Sequence, residues 1–86
     1  MNMLSIEWHG SRSHDQDDTD RARRAAEAVL DAAGIDDYSA LFAEVVAAVD
    51  ECREIPAVWR EAEYAAWEAG TKGWLSPENV DVSISA

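Results

Sequence analysis

Eighty-six residues are enough for one small domain, and eighteen Asp and Glu against seven Lys and Arg give it a net charge of −11. A single cysteine excludes an intramolecular disulfide and a four-cysteine zinc site, and no apolar run is long enough to span a membrane as a helix. The apolar share, 48%, is that of a globular chain, but much of it is alanine, so the four tryptophans (Trp8, Trp59, Trp67, Trp74) are expected to supply a large part of the core.

The first ten residues carry neither a basic region nor a long apolar stretch. They do not read as a signal peptide, and a cytoplasmic location is the expectation. Leu4, Ile6 and Trp8 alternate with Ser5 and Glu7, which predicts a strand over 4–8. Residues 9–18 hold no apolar side chain and read as a polar loop. A first helix is predicted over 19–33, capped by Asp18 or Thr19, with Ala22, Ala25, Ala26, Val29, Leu30 and Ala33 on one face. Gly34 supplies its left-handed terminus.

A second helix is predicted over 37–54. Its stripe is Tyr38, Leu41, Phe42, Val45, Val49 and Cys52, widened by Val46. It is the most apolar of the three, so it is expected to be central, with Pro56 stopping it. A third helix over 56–69 buries Val58, Trp59, Ala62, Ala65, Ala66 and Ala69 and ends at Gly70. Turn signals at Lys72-Gly73 and Ser76-Pro77 bracket Trp74 and Leu75, which are expected to tuck under the helices. Val80, Val82 and Ile84 alternate with Asp81 and Ser83, giving a last strand over 80–84. The expected class is α+β: one domain in which a three-helix layer packs on a short two-stranded sheet made from the terminal strands (β-α-α-α-β). The unpaired edges of such a ribbon offer a route to a homodimer.

The chemistry-bearing residues do not assemble into a catalytic pattern. His14, Asp15, Asp17, Asp18 and Asp20 offer oxygen ligands at alternating positions. Counted as a calcium loop from Asp15, however, Asp20 stands where glycine is needed and Ala26 where glutamate is needed. The segment reads instead as solvated charge leading into a helix. His9, His14 and Cys52 lack transition-metal spacing, and Cys52 reads as a small core residue. No nucleophile elbow or phosphate-binding glycine loop occurs, and the carboxylate pairs Asp36/Asp37, Asp50/Glu51 and Glu61/Glu63 fall at helix starts or exposed positions. The third helix sets Glu61, Glu63 and Glu68 against Arg60, which opposes direct nucleic-acid binding. No catalysis, no cofactor and no metal are expected.

The acidity is concentrated in the second part of the chain. Residues 1–35 hold seven acids and four bases, and residues 36–86 hold eleven acids and three bases. Glu44 and Glu51 stand two helical turns apart, about 10 Å, with Glu54 continuing the row, and Glu61 and Glu68 repeat the spacing. Two adjacent helices carrying these five glutamates would present a negative face that steers association with a basic protein. Basic protein grooves mostly hold nucleic acid. In size, acidity and lack of catalytic motifs the chain is similar to phage-encoded inhibitors of host defence, among them nucleic-acid mimics and anti-CRISPR proteins, and no residue motif carries that likeness. The reading is a non-catalytic acidic interaction module that blocks a nucleic-acid-binding site. The alternative is a homodimeric structural or accessory subunit whose acidity serves only solvation.

Overall fold

The computed structural model describes residues 3–9, 16–71 and 79–85. They form β1 (Met3–Trp8), α1 (Gln16–Ala32), α2 (Tyr38–Asp50), α3 (Ala57–Thr71) and β2 (Val80–Ser85), the α+β order expected. β1 and β2 pair antiparallel, from Met3 opposite Ser85 to Trp8 opposite Val80. The alternation works as the sequence implies. Leu4, Ile6, Val80 and Val82 are buried, Trp8 and Ile84 pack half-buried against the same core, and Glu7 and Asp81 are exposed. A two-stranded ribbon is marginal by itself; here α1 packs on β1, and α3 and α2 pack on β2.

The closest helix pair is α1 with α3. Its buried positions are Ala22, Ala26 and Leu30 on α1 and Ala62, Ala66 and Gly70 on α3. Small side chains let helix axes approach toward the lower end of the usual range of about 8–10 Å. The Trp8 ring lies against Gly70, and its Nε1–H donates to Thr19 Oγ1 at 2.9 Å. Arg21 Nε donates to the Ala69 carbonyl at 3.3 Å, fastening the same two helices.

The central position expected for the second helix therefore goes to the α1–α3 pair. α2 contributes Leu41, Val45 and Ala48 to the interior and meets α3 through Phe42 on Trp59, ring centroids 5.5 Å apart. Rings of this size hold backbones apart, whereas alanine and glycine do not. Its buried line runs through Ala48, so Val46 and Val49 lie outside the core, 43% and 57% exposed.

Helix ends account for the remaining differences. α1 starts at Gln16, so Asp18 and Thr19 lie inside it; Asp17 and Asp18 face the dipole from its first turn. At its other end Gly34 has φ +81°, and the amides of Gly34 and Ile35 donate to the Asp31 and Leu30 carbonyls, each at 3.0 Å. The Tyr38 hydroxyl, donating to Asp31, braces the turn into α2 and is pushed up to about 12, first by that bond and then by burial.

α2 begins after Asp37, whose carboxylate accepts the Ala40 amide at 3.2 Å. It ends at Asp50 rather than at 54. Cys52 takes the left-handed conformation (φ +57°), its amide donates to Val49, and the Arg53 amide donates to Ala48 at 2.7 Å. This is the same termination as at Gly34, with an exposed cysteine where glycine is usual, at a backbone cost of about 1–2 kcal/mol. Cys52 is not a core residue, and Pro56 opens α3 rather than closing α2: its carbonyl accepts the Trp59 and Arg60 amides. α3 continues through Gly70 to Thr71, whose fully buried hydroxyl donates to the Trp67 carbonyl at 2.7 Å. Trp74, Leu75, the turn signals around them, His14 and Asp15 lie outside the described residues.

Candidate acidic interface

All five glutamates singled out from the sequence are exposed. Glu44 lies on α2, and Glu61 and Glu68 lie on α3. Glu51 is the C-cap of α2, and Glu54 belongs to the connection into α3. The single helical row of Glu44, Glu51 and Glu54 does not form, because the helix ends before two of them. The chain reversal at Cys52 instead puts Glu44 and Glu54 on one open cleft of about 470 Å³, floored by Ala43, Ala47, Ala48 and Pro56. Arg53 lines the same cleft but directs its Nε to Glu51 at 2.8 Å, which makes Glu51 the least available of the five.

Glu61 and Glu68 keep their two-turn spacing on α3. Tyr64 lies between them, 55% exposed, its ring 5.1 Å from that of Trp67. Exposed tyrosine on a charged face supplies contact area at low entropic cost, and such residues are enriched at binding hot spots. The signal for Tyr64 is present in the sequence: positions 61, 64 and 68 share a helical face. The α2 and α3 acids are linked through the 51–56 connection and the Phe42–Trp59 contact, not through a closely packed helix pair.

Two of the three arginines of α1 pair with acids of α1, and the third, Arg24, is exposed. Arg21 pairs with Asp18, and Arg23 lies 3.6 Å from both Asp20 and Glu27. Among the described residues Glu44, Glu54, Glu61 and Glu68 form no ion pair. These four carboxylates are therefore carried on the surface without an ion pair among the described residues.

Glu63 differs from these acids. It is half-buried, and burial pushes its carboxyl above the ordinary value of 4.5; the Asp81 charge adds to the shift, while Arg60 and the Trp59 side-chain hydrogen bond oppose it. A raised carboxyl favours the folded state below the ordinary pKa, and that contribution is lost as pH rises through the folded value. Glu63→Gln should therefore raise Tm at neutral pH by about 2–4 °C, a figure discounted for solvent screening. The gain should shrink toward zero as the pH is lowered past the carboxylate range. Thermal melts of both proteins across that range check this; a gain independent of pH would mean that ionisation is not the cause.

Compared with known proteins, the chain matches no family model, no curated protein and no solved structure. Among the described residues, no helix is long and apolar enough to cross a membrane.

Proposed function

We propose that the chain is a non-catalytic interaction module whose α2–α3 acids bind a basic protein surface of the kind that holds nucleic acid, and so block it in the manner of a nucleic-acid mimic or a phage-type inhibitor. The observation that carries this reading is the segregation of charge. Arg21 and Arg23 of α1 pair with acids of α1, while Glu44, Glu54, Glu61 and Glu68 stand exposed and form no ion pair among the described residues. Unpaired surface charge of one sign raises the encounter rate with the opposite sign and selects against acidic partners. Tyr64 adds an aromatic anchor beside two of the acids.

The test is capture of basic nucleic-acid-binding proteins at about 0.1 M salt, followed by elution with rising salt and competition with DNA or RNA. The expected result is a partner released by salt and displaced by nucleic acid. The double variant Glu54→Lys/Glu61→Lys should weaken binding at least about tenfold, roughly 1.4 kcal/mol, with an unchanged circular dichroism spectrum. Binding that survives this double reversal removes the acidic-face reading. If no basic partner is retained and Tm climbs steadily into molar salt, the acidity serves solvation instead.

A further inference from the structure

A second group of ligating side chains, which includes none of the five glutamates, lies on the outer face of the sheet. In a strand, positions i and i+2 share a face, so Glu7 of β1 and His9 just beyond it stand on the same side. The register puts Asp81 of β2 directly opposite Glu7. Like charges directly opposite across a ladder repel, and the fold nonetheless holds these two together. His9 Nε2 lies 2.7 Å from Asp81 Oδ2, and the His9 amide donates to the Asn79 carbonyl at 2.8 Å, which fixes the backbone that carries the imidazole. One ligand atom from each of Glu7, His9 and Asp81 lies within 4.8 Å of the others, and all three residues are exposed.

We infer that Glu7, His9 and Asp81 form a binding site for a divalent transition-metal ion of the zinc class, clamped across the two chain-terminal strands. The donor set is one imidazole nitrogen and two carboxylate oxygens. Zinc accepts this mixture, at about 2.0–2.2 Å per ligand, and three protein ligands leave a fourth position for water. Calcium takes six to eight oxygens and magnesium keeps its waters, so neither is served by a three-ligand site containing nitrogen. A cation here also removes the Glu7–Asp81 repulsion. Because its ligands come from both strands, it binds the folded ribbon and not the separated strands, and so it stabilises the fold.

Calorimetry with zinc chloride on the full chain, in a non-chelating buffer near pH 7.5, tests the site. The expected result is saturable one-to-one binding accompanied by a rise in Tm. The affinity should fall at least about tenfold in His9→Ala and in Asp81→Asn, and the rise in Tm should shrink with it; both substitutions are at exposed positions and leave the core untouched. Amide shifts on zinc addition should centre on residues 7, 9 and 81. His14→Ala should bind as the parent does, and calcium should produce no comparable rise in Tm. The inference is overturned if zinc gives no saturable heat, if binding survives the loss of His9, if it is lost instead with His14, or if calcium serves equally well. None of these outcomes depends on a basic protein partner.

Discussion

Replacing Trp59 with alanine should remove about 3–5 kcal/mol of stability, the usual cost of truncating a fully buried large aromatic. A chain of this length has about 4–13 kcal/mol in total, so the loss takes from about a quarter to all of it. Trp59 is 1% exposed and is the largest fully buried side chain among the described residues. It supports three relations at once. Its ring carries Phe42 and thereby attaches α2 to α3. Its body fills the space between alanines that contribute little volume themselves. Its side chain hydrogen-bonds the half-buried Glu63. Urea denaturation should show a large fall in midpoint with little change in slope, the signature of lost stability rather than altered compactness. Trp59→Phe should cost less, because most of the ring volume stays and only the donor to Glu63 is lost. If alanine at 59 costs under about 1 kcal/mol, the residue is not the keystone of α2 docking.

Gly70→Ala should destabilise the protein by about 1–3 kcal/mol, although alanine is the better helix former by about 1 kcal/mol in an open position. A Cβ at position 70 would lie 2.3 Å from Trp8 Cη2, 3.1 Å from Trp8 Cζ2 and 3.0 Å from the Ala22 Cβ. The obstacle is a rigid ring held by its bond to Thr19, and behind it the backbone of a neighbouring helix, so relief requires either breaking the indole hydrogen bond or prising α1 from α3. The corresponding fall in Tm is about 4–8 °C per kcal/mol for a domain of this size. A double-mutant cycle isolates the cause. Trp8→Phe deletes the outer ring atoms that meet the new methyl, so the added cost of Gly70→Ala should largely vanish in that background. An equal penalty in both backgrounds would place the strain elsewhere, at Ala22 first.

Gly70 shows how sequence and structure divide the account. A glycine at the end of an apolar stripe reads as a helix terminator, and Gly34 is one. Gly70 carries the same local signal but serves a ring 62 positions away, and no local pattern contains that information. The reverse case is Cys52. Its place in the stripe of the second helix predicts burial, yet the chain turns left-handed there and exposes it. Which residue accepts the left-handed backbone depends on where α2 must end to send the chain into α3.

The order of elements, the α+β class, the inward faces of both strands and the exposure of the five glutamates are legible in the sequence; of the six positions on the first helix's apolar face, Ala22, Ala26 and Leu30 are buried, Ala25 and Val29 half-buried, and Ala33, just past the helix end, is exposed. The legible features follow from period two, period 3.6 and the charge distribution, all of which are local. The sequence also held the spacing that places Tyr64 between Glu61 and Glu68. That α1 and α3, not α2, form the closest helix pair depends on the fold, because side-chain size at an interface depends on which faces meet. Only the fold returned Glu54 to the cleft beside Glu44 and turned Arg53 toward Glu51. The grouping of Glu7 and His9 with Asp81 needs the strand register, which joins residues from opposite ends of the chain. Local periodicity specifies which way a side chain faces; the packing of distant segments specifies what it meets.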